Sequence, residues 1–244
     1  MDASRRICYT DPIFFRSRTL ETTSNSPFAV LKYALVTWWD SAIPLALYSI
    51  IWLLLSITIL FFAPATFVMA YLVAELLDET LPEPRAILRS LITFFLKSWG
   101  WFLGNIFVIG LAWINWSFYR GIGEAWSEVL AWFIASIVIF WFGIQFYALP
   151  FYMVQEKKSL ILAWRNAMFA ALASPGYALA LWIVIALLIA ASIFLVLPIM
   201  FGTPALIMII SSVAVRERVR TFKAIMAAKN KTDDNQGGDS PRAS

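Results

Sequence analysis

Polar side chains are rare in the long apolar stretches of this sequence, and four of them could take part in chemistry. They are Glu75, Asn105, Asn115 and Gln145. A carboxylate and three amides in apolar surroundings could line a path for a solute, an ion or a proton. Side chains of these types also join packed apolar helices through hydrogen bonds, each worth about 0.6 to 2 kcal/mol. We interpret the amides as structural, with Glu75 reaching the surface from the end of its stretch, and keep the polar path as the alternative.

A second candidate site is a group of basic residues that follows the last apolar stretch. Its members are Arg216, Arg218, Arg220 and Lys223. Near a membrane surface, each such charge contributes about 1 kcal/mol of attraction to anionic lipid. The same charges also hold a segment on the inner side of a membrane, and in that role they need no ligand. The sequence therefore predicts either contact with anionic lipid headgroups or a topology signal alone.

The residue types that carry most enzyme chemistry are scarce. The 244 residues include no histidine and a single cysteine, Cys8. Histidine is the commonest general base and metal ligand, and one cysteine cannot form an internal disulfide. The sequence also has neither a phosphate-binding glycine loop nor a cysteine ligand set. We therefore predict that the protein is not an enzyme, with no catalytic residues, no bound metal and no cofactor.

The composition is that of an integral membrane protein. The sequence is 61% hydrophobic and 14% charged, whereas soluble domains are about 45 to 50% apolar and 25% charged. The formal net charge of +4 could indicate nucleic acid, but the basic residues flank apolar stretches, which favours a membrane role and no nucleic-acid partner. The expected partners are the lipid bilayer and another membrane protein or a second copy of this chain.

The apolar stretches predict an all-α protein with six transmembrane helices. The charge-free run 41–74 would form a helix of about 51 Å, too long for one crossing, so we divide it near Pro64, because proline is tolerated in a first helical turn. The predicted spans are 42–62, 64–77, 98–119, 129–155, 176–196 and 198–215. The predicted regions are a polar arm at 1–27, a membrane domain at 28–228 and a disordered tail at 229–244.

Basic amphipathic segments precede alternate spans. Arg85, Arg89 and Lys97 share one face of a helix that leads into the third span. Segments around Lys32 and Arg165 have a similar pattern, with a serine nine positions after each aligned basic residue. The pattern favours three parallel hairpin repeats, each preceded by an interfacial amphipathic helix. Any membrane protein with basic inner loops would look similar, so both interpretations stay open.

The distribution of charge predicts the orientation in the membrane. Of the 19 lysine and arginine residues, 18 fall before the first span, after the last span or in the loops after the second and fourth spans, and only Arg120 falls on the other side. Basic residues are retained on the cytoplasmic side. We therefore expect both termini in the cytoplasm and the chain in the cytoplasmic membrane.

Three segments carry a resemblance to a known family. They are Leu53 to Tyr71, which includes Pro64-Ala65-Thr66, the helix from Arg85 to Trp99, and Leu149 to Ala171. Together they resemble the YesL-like family of bacterial membrane proteins, in which a first hairpin turns at a Pro-Ala-Thr element and basic amphipathic helices precede the third and fifth spans. This sequence departs from the family pattern at Thr58-Ile59-Leu60, where the family has a proline-containing run. The resemblance implies an association with carbohydrate import systems and supplies no active-site residues.

The functional expectation follows from the composition and from the resemblance together. We expect a non-enzymatic accessory or scaffold subunit of another membrane complex, such as a carbohydrate importer. The alternative is a small solute carrier or channel, with a path lined by the polar residues of the third and fourth spans. A carrier should contain a cavity that reaches the middle of the membrane and collects polar side chains, whereas a scaffold should be filled by apolar side chains.

Overall fold

The computed structural model describes residues 26–78, 80, 83–195 and 202–237, and these residues form helices and no strands. The predicted arm at 1–27 therefore lies almost wholly outside the described residues. In chain order the helices are α1 (Pro27–Asp40), α2 (Ala42–Ile57), α3 (Ile59–Leu77), α4 (Pro84–Ile122), α5 (Ala125–Val154), α6 (Leu160–Ala173), α7 (Pro175–Leu195) and α8 (Thr203–Gly237).

Local sequence accounts for several of the helix ends. Helices α1, α4 and α7 each begin at a proline, whose fixed φ suits a first turn and whose missing N–H has no partner there in any case. Helix α4 ends at Gly123, which has a φ of 77° in the left-handed region that glycine adopts without strain. These residues set the limits of α4 and allow the chain to reverse into α5.

Four of the described helices, α3, α4, α5 and α7, are long and apolar enough to cross a membrane. Helices α1 and α2 meet at 90° and would supply a fifth crossing if they form one broken span. The all-helical, multi-pass architecture predicted from the composition is confirmed. The apolar part of α8 at 203–215 is only 13 residues long, so the described helices give four or five clear spans where the sequence predicted six.

Helix α3 is the centre of the bundle. It packs against α2, α4, α5 and α8, and 56% of its most apolar segment is buried, against 11% for α4 and 17% for α5. Phe67 of α3 contacts Trp101 of α4 and Tyr152 of α5 through edge-on ring pairs with centroids 6.0 and 5.4 Å apart. The burial of α3 and its aromatic contacts hold this span at the centre of the bundle.

The break in the first hairpin differs from the prediction. The sequence predicted the break at 63–66, but the chain breaks at Thr58, and Pro64 lies inside α3. Thr58 adopts extended backbone angles, and its hydroxyl donates a hydrogen bond of 2.7 Å to the Leu55 carbonyl, which caps the end of α2. Because Pro64 is only the sixth residue of α3, the backbone bond that it removes lies near the helix start, where the cost is smallest.

Helix α1 does not lie where the sequence placed it. The prediction made α1 an interfacial helix on the cytoplasmic face and put the 197–204 loop on the opposite face. In the structure α1 packs along α8, and the Trp38 indole lies so close to Gly202 that a Cβ there would come within 2.8 Å of the Trp38 Nε1 atom. The small buried face of α1, formed by Val30 and Ala34, makes this close packing possible.

Two other segments are longer than predicted. The basic segment that begins at Arg85 and the third span form one continuous helix, α4, of 39 residues. Helix α8 continues to Gly237, whereas the sequence predicted a disordered tail from residue 229. The sequence placed these two boundaries where the composition changes, but the helix continues through both positions.

Candidate functional site

Two of the predicted polar residues form a hydrogen-bonded network with tryptophans. Trp101 and Asn105 lie one turn apart on α4, and Trp141 and Gln145 lie one turn apart on α5. The Trp101 indole donates to Gln145 Oε1 at 2.9 Å, and the Trp141 indole donates to Asn105 Oδ1 at 2.9 Å. Trp164 of α6 donates to the same Gln145 oxygen at 3.0 Å. The network therefore joins α4, α5 and α6 through two amide oxygens.

The amide nitrogens of this network turn back to their own helices. Asn105 Nδ2 donates to the Trp101 carbonyl at 2.8 Å, and Gln145 Nε2 lies 3.5 Å from the Trp141 carbonyl. Gly104 provides the room for Trp164, because a Cβ at this position would come within 2.7 Å of the Trp164 ring. Both amide oxygens thus accept hydrogen bonds from indoles of neighbouring helices.

The other two predicted path residues lie elsewhere. Asn115 is exposed on α4, about 15 Å along the helix from Asn105, and donates to the Leu111 carbonyl at 2.7 Å. Glu75 lies near the end of α3, where its carboxylate accepts a 2.7 Å hydrogen bond from the Thr80 hydroxyl. The structure therefore brings Asn105 and Gln145 together and leaves Asn115 and Glu75 apart from them.

A cavity of about 510 Å³ lies beside the network and is bounded by α2, α3, α4, α5, α7 and α8. We call it the central cavity. Its walls are mainly aliphatic and aromatic side chains, among them Trp52, Met69, Phe102, Phe146 and Met208. Asn105 and Gln145 contribute to the wall, but their amide oxygens face tryptophan N–H groups. The central cavity is therefore apolar in character.

Three hydroxyl groups in the cavity wall differ in their partners. Thr66 donates to the Phe62 carbonyl at 2.8 Å and accepts from the Trp52 indole at 3.2 Å. Ser192 donates to the Leu188 carbonyl at 2.7 Å. Ser211 of α8 is 2% exposed and its hydroxyl has no hydrogen-bond partner within the described residues. Ser211 was not among the residues predicted from the sequence, although the Ser211-Ser212 pair inside an apolar stretch is a visible signal.

The predicted basic cluster is partly engaged in internal contacts. Arg216 forms an ion pair with Asp78 and donates to the Ala74 carbonyl at 2.9 Å, which ties α8 to the end of α3. The Arg218 guanidinium is buried and lies 4.0 Å from the ring centroid of Tyr177. Arg220 and Lys223 are exposed and are the members of the cluster best placed to meet lipid headgroups.

A half-buried carboxylate lies within the same cluster. Glu217 accepts a 3.2 Å hydrogen bond from the Tyr177 hydroxyl. Burial raises the pKa of Glu217 above its ordinary value, while this hydrogen bond and the nearby Arg218 and Arg220 lower it in part. The cluster is thus a set of mutually compensating charges where the start of α7 packs against α8.

The described residues contain no group of three or more aspartate, glutamate or cysteine side chains that could hold a metal. The fold and the central cavity define the chain as a multi-pass helical membrane protein. Comparisons with family models, with curated proteins and with solved structures give no match. The resemblance to the YesL-like family therefore stays a prediction.

Proposed function

We propose that this protein is a non-enzymatic accessory or scaffold subunit of another complex in the cytoplasmic membrane, such as a carbohydrate importer. The proposal rests on how the candidate path residues Asn105 and Gln145 are hydrogen-bonded. Asn105 and Gln145, which a carrier would present to a solute, have their amide oxygens hydrogen-bonded to tryptophan N–H groups. If these amide oxygens turned to a polar solute, the tryptophan N–H groups would lose their acceptors, at a cost of about 1 to 3 kcal/mol each.

The accessory role is also supported by the surface of the α4–α5 hairpin. Beyond the network, both helices expose almost their whole length, including the large side chains of Phe107, Trp113, Phe118 and Phe133. Aromatic residues are enriched in protein interfaces as well as at membrane surfaces. The proposal assigns one face of this hairpin to a partner membrane protein and the remainder to lipid.

The proposed topology has six spans arranged as three hairpins, with both termini in the cytoplasm. The broken span formed by α1 and α2 pairs with α3, α4 pairs with α5, and α7 pairs with α8. The asymmetric distribution of basic residues supports this orientation. The short apolar part of α8 can cross because protein surrounds it, as residues Ile209, Ile210, Val213 and Val215 are buried. A helix shielded in this way need not match the thickness of the lipid.

The carrier alternative is supported by one observation, the presence of a large cavity beside Asn105 and Gln145. A carrier would need this cavity to open to water and its amides to exchange their indole partners for solute. Solute uptake by the reconstituted chain would favour the carrier.

Crosslinking in native membranes would test the accessory role. A photoreactive amino acid at Trp113 on the hairpin should capture one importer membrane subunit in high yield, identified by mass spectrometry. The matched control is the same amino acid at Leu187 of α7, which is equally exposed and should capture mainly lipid. Absence of any protein adduct from Trp113 would contradict the proposal, and uptake of solute by the reconstituted chain alone would establish the carrier.

A further inference from the structure

The central cavity opens at the side of the bundle. Ile106 of α4, Phe142 of α5 and Ile193 of α7 all line it, and their exposed fractions are 49%, 49% and 67%. Side chains that are both in the cavity wall and exposed mark its opening, which we call the mouth. The mouth is formed by apolar residues of three different helices.

The mouth lies at the depth of the hydrocarbon. Along α4, Ile106 is about 21 Å from Arg120, which marks the tip of the hairpin, and about 14 Å from Lys97, which marks the other end of the charge-free segment. The hydrocarbon core of a bilayer is about 30 Å thick. What reaches the mouth is therefore lipid rather than water.

The interior has the size and chemistry for one chain. If a methylene group takes up about as much volume as a liquid water molecule, near 30 Å³, then 510 Å³ holds roughly 17 carbons. Ser211 supplies a single unpartnered hydroxyl in this wall. Ser211 lies about 12 Å along α8 from Thr203. The Thr203 hydroxyl is 3.1 Å from the Ser192 hydroxyl, and Ser192 is next to Ile193 at the mouth.

We propose that the central cavity binds one fatty acid from the bilayer, with its carboxyl oxygen accepting a hydrogen bond from the Ser211 hydroxyl. The chain enters through the mouth and fills the space between the α4–α5 and α7–α8 hairpins. Its burial removes apolar surface of both the chain and the cavity wall, and its oxygen satisfies a donor that is otherwise unpaired. This site does not depend on the accessory role, because it needs no partner protein.

Photolabelling would test this site. The protein is reconstituted in vesicles of phosphatidylethanolamine and phosphatidylglycerol, with either a diazirine-labelled palmitic acid or a phosphatidylglycerol that carries the diazirine on one chain. Adducts should map to residues 101–109 of α4 and 203–211 of α8. The free acid should label both segments, and labelling by the phospholipid alone would overturn the proposal.

Matched variants separate cavity binding from contact with bulk lipid. Ile189→Trp places an indole in the cavity wall and should lower labelling of both segments at least about fivefold, whereas Leu187→Trp, on the lipid side of the same helix, should leave it unchanged. Ser211→Ala should lower it about three- to tenfold, since one hydrogen bond is lost. Equal labelling in Ile189→Trp and wild type, adducts confined to the exposed faces, or no effect of Ser211→Ala in a folded protein would overturn the proposal.

Discussion

Gln145 of α5 joins two other helices through one oxygen atom. Its oxygen accepts hydrogen bonds from Trp101 of α4 and Trp164 of α6, and so uses both of its lone pairs. Loss of this oxygen would leave two indole N–H groups unpaired in apolar surroundings. The cost of such orphaned donors exceeds the net value of the hydrogen bonds themselves.

Replacing Gln145 tests this role at the scale of one residue. Gln145→Ala should lower the free energy of unfolding by about 1 to 3 kcal/mol, because two donors lose their acceptor. Asn115→Ala, which removes an exposed amide bonded only within its own helix, should change it by less than about 0.5 kcal/mol. Both are measured by denaturant-induced unfolding in mild detergent. Equal effects of the two substitutions would show that the network does not stabilise the bundle.

The sequence identified part of the site, and the limits have physical causes. Asn105 and Gln145 could be picked out because an amide in an apolar stretch needs a partner. Their tryptophan partners could not, since the pairing depends on how α4, α5 and α6 cross. Ser211 was missed because a helical serine usually bonds to a carbonyl of its own helix, as Ser192 does, and only the structure shows that its hydroxyl is unpartnered.

At the scale of helices, α5 and α7 are held together by a glycine beneath a tryptophan. A Cβ on Gly143 would come within 2.5 to 2.6 Å of three atoms of the Trp182 indole. The Trp182 ring also packs edge-on against Phe140 of α5, with centroids 5.7 Å apart. The absence of a side chain at Gly143 therefore sets how closely α7 approaches α5.

A methyl group at this position should separate the two helices. Gly143→Ala should destabilise the protein by about 1 to 3 kcal/mol through overpacking against the half-buried Trp182 ring. Gly110→Ala is the matched control, because no atom lies within 4 Å of the added Cβ and alanine favours the helix, so stability should stay equal or rise by up to about 1 kcal/mol. Thermal unfolding in detergent measures both.

A second substitution tests whether the loss of stability comes from the contact with Trp182. Trp182→Leu in the Gly143→Ala background should recover part of the lost stability, since the smaller side chain makes room for the methyl group. If Gly143→Ala were as stable as Gly110→Ala, the close approach of α5 and α7 would not be required for the fold.

The helical elements were largely predictable, whereas their packing was not. Charge-free stretches and prolines placed α3, α4, α5 and α7 close to where they lie. The sequence placed the break of the first hairpin at Pro64, because proline is a strong local signal. The break lies at Thr58, whose capping hydrogen bond is visible only in the structure. The contact of α1 with α8 was missed for a similar reason: sequence patterns report an apolar face and not the element that covers it.

At the scale of the whole molecule, the number of spans depends on α8. Its apolar part at 203–215 is about 20 Å long, shorter than a hydrocarbon core of about 30 Å. Its burial within the bundle and the ion pair that the adjacent Arg216 forms with Asp78 at the end of α3 both favour a crossing. Whether α1 and α2 form one broken span or α2 crosses alone does not change the side on which the later segments lie.

Site-specific labelling distinguishes six crossings from five. In a Cys8→Ser background, which removes the single native thiol, cysteines are introduced at Gly121, at the tip of the α4–α5 hairpin, and at Met226, exposed on α8. With six crossings, a membrane-impermeant maleimide added to intact cells should label the cysteine at 121 and not that at 226 until the membrane is opened. If α8 does not cross, both positions lie outside and both label in intact cells. The second result would overturn the three-hairpin topology and place the basic residues of α8 on the outer face, against the retention that their charge predicts.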